Sequence, residues 1–551
     1  MFLLRSIYIT LLSIIIILSP NSARASTVIL TGQDLSLDAV YNVAVKMEAV
    51  AIAPESLARV KHYHNILLEA AKHDIPVYGL NRGVGLNKDK VIFSGSILEQ
   101  EARQASEAFN MSDLRATATS FGEYASPEIV RAAMLIRLNK LLIGHAGVQV
   151  RVIELLAEFL NHNIIPLMPM KGSVGEADIG ILAHMGLALA GEGNVLYQNK
   201  SQPSKEVLQK LQIKPLRPYA KDALGIFSSN AFSLARAVLL SHKLDNLLAN
   251  YLKIFALSLE GLNGNIAPFT QNVQNLSMTI GQKNAAQSIL NELTRSYLLE
   301  MDPNRALQDP LSFRTEAHVN GSMQDNLKLL QQKLRKHINT SDDNPSVLDS
   351  ALGASAPSNE RQYYFDNANG MRGAVVPTAD FEPLDWVLSL ETVKINAARL
   401  AHNSAQRTLH LGSYCSTKLN RFLASNGKDI AFAVVQKSVL YLSTSIAKNA
   451  GTITYLSSPL AGNIEDTATN SGLILDQAEL MLEDMHRLAG IELMHAAQAV
   501  ELRMKSEDSV RISDKGTALL VKYRKEVPFL TVDRALSEDL EKSYLFIKNV
   551  E

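Results

Sequence analysis

The chain has 551 residues, 47% hydrophobic and 20% charged, enough apolar material for a large packed core, which excludes a disordered tail, a collagen-like repeat and a disulfide-stapled miniprotein. Lysine and arginine number 54 against 55 acidic residues, a formal net charge of -1, so no broad basic surface is offered to a nucleic acid. The single cysteine, Cys415, excludes an intramolecular disulfide and a thiolate cluster, and the 13 histidines show no HExxH-like spacing, so no metal site is expected.

In chain order, Arg5 precedes an apolar run from Ile7 to Leu18, Ser19-Pro20 breaks it, and Ala23-Arg24-Ala25 supplies small residues at the spacing signal peptidase accepts. A secretory signal peptide over 1–25, cleaved after Ala25, is expected. The run is well short of the about 20 apolar residues that cross a bilayer. No stable membrane insertion is therefore expected after cleavage, and an exported protein, in a bacterial periplasm, is the expected outcome.

Residues 26–551 read as one all-α body, loop-rich to about 230 and a bundle of long helices after it. Ser126-Pro127-Glu128 opens a helix with an N-cap, a proline at the first position and an acidic first turn, and apolar residues then recur at helical spacing from Val130 to Leu142. Similar patterns fill Val150 to Leu160, Phe232 to Leu259, Pro383 to Leu411 and Leu473 to Met504.

The loops between helices carry the candidate chemistry. Tyr78-Gly79-Leu80-Asn81-Arg82-Gly83-Val84-Gly85 packs three glycines and a tyrosine into one turn, which suits backbone approach to a ligand and equally suits a flexible surface loop. Lys171-Gly172-Ser173-Val174-Gly175-Glu176-Ala177-Asp178 places two carboxylates just before the apolar helix from Ile179 to Leu189, where they are either ligand contacts or favourable charges at a helix N-terminus.

With these loops in hand, the chain resembles the histidine and phenylalanine ammonia-lyase family. The tyrosine loop, Val130-Arg131-Ala132-Ala133-Met134, Gly144-His145-Ala146-Gly147-Val148, Pro166 to Gly175, Gln308 to Arg314, Asp343-Asn344-Pro345 and Glu465-Asp466 follow in the family's order. The resemblance implies an all-α fold with a long central helical bundle, assembled as a homotetramer with active sites shared between subunits.

It also implies a prosthetic group that this chain lacks the residues to make. The family cyclises an Ala-Ser-Gly triplet after Gly-Ser-Val-Gly into a methylidene-imidazolone, whereas here Glu176-Ala177-Asp178 stands at that place, one residue shorter and without a serine. No cofactor is therefore expected. Leu311 stands where a second catalytic tyrosine is usual, Thr117 at a histidine position and Ser228 at an asparagine position. The ergothionase branch is similar in lacking the triplet, and it converts ergothioneine to thiourocanate and trimethylamine. A quaternary nitrogen already carries fixed charge and departs as a neutral amine, so a base and electrostatic stabilisation suffice.

Carried over residue by residue, the resemblance implies Tyr78 as the β-proton base, with Arg82 lowering its pKa. Arg314 is expected to clamp the substrate carboxylate, with Asn344 as an added donor. Glu465 is expected to accept from a ring N–H, Lys418 to touch a ring substituent, and Glu176 and Asp178 to face the leaving cation, with aromatic surface beside it. The expected substrate is a small aromatic amino acid or its betaine. Two other readings stay open: an exported, catalytically inactive ligand-binding homologue, and an ordinary ammonia-lyase acting on histidine or another aromatic amino acid.

Overall fold

Three long helices run through the centre of the molecule, Ala231–Leu262, Leu384–Leu411 and Ser471–Ser506. The first is apolar and buried over most of its circumference, as befits the axis of a large helical core rather than a surface helix. It packs against the 471–506 and 127–141 helices and against Glu316–His337. The computed structural model describes residues 27–549 apart from 278, 351, 353 and 354, so the expected signal peptide over 1–25 lies outside the described residues.

The helices expected from periodicity are present: Pro127–Leu141, Val150–Asn161, Ile179–Leu189 and the three central ones. One detail differs from expectation. Ser126 has the extended backbone of an N-cap, yet its side chain makes no cap hydrogen bond, so Pro127 and Glu128 carry the helix start.

A buried ionic cluster ties three helices together. Arg407 donates to Glu316 and to Glu492, each at 2.6 Å, and none of the three side chains reaches solvent. In so dry a setting, removing one partner costs far more than the intact pair contributes, so the cluster acts chiefly on helix register.

Among the described residues, four small sheets flank the bundle. Their strands are two to five residues long, too short for an alternating pattern to stand out in the sequence. The three-stranded sheet of Ser346–Asp349, Arg372–Val376 and Tyr364–Asp366 shares a second apolar cluster with Ile66, Leu67, Val77, Leu80 and Phe93. That cluster seats the tyrosine loop against the body.

Candidate active site

Local sequence holds the tyrosine loop in shape. Asn81 accepts from the Val77 N–H through Oδ1 and donates to the Ile75 carbonyl through Nδ2, both at 2.8 Å, stapling the turn shut from inside. Gly79 has φ of +73°, a conformation that favours glycine, and a Cβ there would also meet Leu224 Cδ2 at 2.4 Å and displace that side chain. The Gly85 N–H then donates to the Tyr78 hydroxyl at 2.7 Å, aiming the phenol into a cavity of about 560 Å³.

The opposite wall comes from the loop before the 179–189 helix. Gly175, at φ of +98°, lies so close to Thr469 and Ser471 that a Cβ would meet Thr469 Oγ1 at 2.4 Å. This contact presses the start of the 471–506 helix onto the loop, and the Thr469 N–H donates to Glu176 Oε1 at 3.0 Å. Glu176 lines the cavity, with the carboxyl of Glu382 as its neighbour. Burial, then the neighbouring Glu382 charge, push Glu176 up to about 7.

Asn344 reaches the cavity from a loop anchored beneath it, where Arg137 donates to Asp342 at 2.8 Å and to Asp343 at 2.9 Å, all buried. The Asn344 Oδ1 accepts from the Thr378 N–H at 2.9 Å, which leaves its amide NH₂ as the group open to a ligand. Glu465 enters beside a short bridge between Leu460 and Glu465, and Thr117 and Ser228 complete the polar lining. Tyr363, Phe227 and Phe381 supply the aromatic surface expected for a cation.

The structure therefore brings together Tyr78, Arg82, Glu176, Asn344 and Glu465. It corrects the expectation for Asp178, which does not line this cavity. Asp178 is fully buried: Oδ2 accepts from the Ser233 N–H at 2.8 Å, and Oδ1 accepts from the hydroxyls of Ser233 at 2.7 Å and Ser173 at 2.8 Å. Three donors outcompete any ligand for it, so its role is to hold the loop. The expectation for Arg82 also changes. Burial raises the Tyr78 pKa above that of an ordinary phenol, the Asp113 and Glu465 charges add to this, and only the Gly85 N–H opposes it, while Arg82 donates to the Asn81 carbonyl.

Arg314 and Lys418 do not line the cavity that holds Tyr78. Arg314 ends the short helix Leu311–Arg314, where it donates to Gln308 and leaves a buried Nε without a partner. Lys418 is exposed and lines a second cavity with Gln308, Asp309 and Cys415. Arg314 is thus linked through Gln308 to the second cavity that Lys418 lines.

Asp113, which lines the cavity, and Glu382, which acts on Glu176 from beside it, were not singled out from the sequence. Asp113 sits one helical turn before Thr117 on Gln100–Thr117, and that spacing was the available signal. Glu382 precedes Pro383 at the start of a long helix and reads as a cap, which it also is, accepting from the Leu384 N–H at 2.9 Å.

At the place where the resemblance implies a methylidene-imidazolone, the residues present do not fit that group. Ala177 has no hydroxyl to lose, and the Asp178 N–H that would have to attack is donated to the Ser229 carbonyl at 2.7 Å.

Comparison with known proteins gives the family. The description of the aromatic amino acid lyase family matches residues 35–525. The chain belongs to the aromatic amino acid lyase family. Within it, the solved ergothionase of Treponema denticola, in complex with desmethyl-ergothioneine sulfonic acid, superposes with a TM-score of 0.86 at 35% identity, covering 95% of this chain and 99% of that one. Histidine ammonia-lyase of Geobacillus thermodenitrificans (strain NG80-2) is 28% identical, with 95% of this chain and 97% of the relative covered. Histidine ammonia-lyase from Trypanosoma cruzi, at 21% identity and a TM-score of 0.81, shares the fold. The family's all-α body and carbon–nitrogen lyase chemistry are therefore those of this chain.

Proposed function

We propose that this lyase eliminates trimethylamine from the betaine of an aromatic amino acid, ergothioneine being the lead substrate and thiourocanate the product, without a methylidene-imidazolone. The observation that carries the reading is the cavity wall at Glu176: where the family's electrophile would be built, the chain presents a carboxyl, with the Glu382 charge acting on it, in a cavity also lined by the aromatic rings of Phe227 and Phe381. A primary amine gains nothing there as a leaving group, whereas a permanent cation suits both carboxyls and rings. The likeness to the Treponema denticola ergothionase supports the same substrate class.

In this reading Tyr78 removes the β-proton, the C–H electrons form the double bond, and the Cα–N bond breaks to release neutral trimethylamine. The phenol is protonated in the free cavity, since burial and two carboxylates hold its pKa high. Arrival of the substrate cation opposes those charges and favours the phenolate, so the substrate helps to activate its own base. Arg314 and Lys418 complete the site from neighbouring copies in a homotetramer. Exposed Leu388 and Ile395 on the 384–411 helix and Leu473 and Leu480 on the 471–506 helix are the apolar faces such an assembly would cover. Export to a periplasm through the 1–25 segment belongs to the same proposal.

The test is direct. Purified protein incubated with ergothioneine should release trimethylamine and form a conjugated product absorbing in the near ultraviolet, while free histidine, phenylalanine and tyrosine remain inert. Ammonia released from free histidine at a matching rate would overturn the reading in favour of an ordinary ammonia-lyase, and no turnover of any of them would leave a binding protein. Intact mass should show no loss of two waters over 173–178.

A further inference from the structure

Asp113 stands in the cavity wall, and the chemistry above uses only its charge. It lies on the 100–117 helix one turn before Thr117, which occupies a family histidine position. The side chain is buried to within 8% of full enclosure. Its Oδ1 accepts from the Thr117 hydroxyl at 3.3 Å, a long bond, and its Oδ2 has no hydrogen-bond partner. A buried carboxylate oxygen without a donor is costly, and when it lines a ligand cavity the missing donor is a ligand's to supply.

Glu465 lines the same cavity, and both carboxyls are close enough to Tyr78 to disfavour its ionised form. Two acceptors therefore stand around the position of the base. Ring chemistry then discriminates among substrates. A phenyl ring has no N–H, a neutral imidazole has one, and an imidazole-2-thione has one on each nitrogen.

We propose that Asp113 is a substrate-binding residue that accepts one ring N–H while Glu465 accepts the other, so that the cavity selects an azole with two N–H donors over a ring with one or none. The inference rests on the betaine-lyase reading for where the ring sits, and it extends that reading by naming the ring. A ring that leaves Asp113 unpaired is rejected because that buried acceptor has lost its water without gaining a donor, and one that leaves Glu465, exposed in the free chain, unpaired forfeits a charge-assisted hydrogen bond.

The experiment pairs a change in the protein with a change in the ligand. Michaelis constants, or dissociation constants by calorimetry where no turnover occurs, are measured for ergothioneine and its two ring N-methyl isomers with wild type and Asp113→Asn. In wild type, either methylation should weaken use by tenfold or more. In Asp113→Asn, ergothioneine should weaken tenfold or more, and one of the two isomers should then differ from ergothioneine by less than threefold, because the contact its methyl removes is already lost. The proposal is overturned if Asp113→Asn lowers all three ligands by one common factor, which marks a structural residue, or changes none. Ring methylation tolerated by wild type overturns it without any variant, so a misfolded Asp113→Asn does not shield it. Failure of the betaine reading shows differently, as binding of ergothioneine with no trimethylamine released, and the methylation ratios then still decide the role of Asp113. Absence of any binding overturns both.

Discussion

Glu176 and Glu382 are neighbouring carboxyls, and burial together with the Glu382 charge pushes Glu176, which lines the cavity, up to about 7. A fixed cation placed beside Glu176 favours its ionised form. Binding of a betaine should therefore release a proton below pH 7, and affinity should rise with pH by up to about tenfold per unit until Glu176 is already ionised. Calorimetry in two buffers of different ionisation enthalpy measures the released proton. A pH-independent affinity with no proton released would move the cation to another wall. Stability runs the opposite way: an acid whose pKa is raised on folding stabilises the fold below about 4.5 and loses that contribution as pH rises through 7. Glu176→Gln should consequently raise Tm relative to wild type at pH 8 and change it little at pH 4.

Tyr78→Phe deletes the hydroxyl and keeps the ring. We expect kcat to fall by about 10²-fold or more, the scale of a lost general base, with KM changed by less than about threefold. Because the phenol pKa is raised rather than lowered in the free cavity, kcat/KM of wild type should still be climbing above pH 8. Steady-state rates from pH 6 to 10 test both, and wild-type turnover by Tyr78→Phe would remove it from the mechanism.

Asp178→Ala removes one acceptor that serves three donors inside the core. The stranded Ser233 and Ser173 groups should cost on the order of 3 kcal/mol of stability. Asp178→Asn keeps the shape and part of the bonding, so it should be milder. Thermal unfolding separates the two, and the affinity of Asp178→Asn for a betaine should stay within about threefold of wild type, in contrast to Glu176→Gln. A larger loss of betaine affinity in Asp178→Asn would restore it to the ligand site.

Shared sites predict complementation. Tyr78→Phe and Arg314→Ala chains, each inactive alone, should regain about a quarter of wild-type activity when co-assembled in equal amounts, because a site drawing the two residues from different copies is intact with that frequency in random oligomers. No recovery in verified mixed assemblies would place Arg314 and Tyr78 in the same copy.

The ordered motifs and helical periodicity made the family, the long-helix bundle and the cavity contributions of Tyr78, Glu176, Asn344 and Glu465 legible before any coordinates. They did so because loops with glycines at forced positions and helices with one apolar face leave local traces. The short strands left none, being two to five residues long.

What the sequence by itself determined is chemical inventory: which residue types stand at the family's positions, and that Glu176-Ala177-Asp178 offers no serine. Which of two neighbouring carboxylates meets the ligand was decided only in three dimensions. Glu176 and Asp178 are two residues apart and look equivalent on paper, yet Ser233, 55 positions later, turns Asp178 inward, while Glu382, far along the chain, meets Glu176 at the cavity. Asp113 emerged the same way, since its unpaired oxygen exists only once the helix is packed around the cavity. Burial and long-range hydrogen bonding set the charge state of these groups, and neither is a property of local sequence.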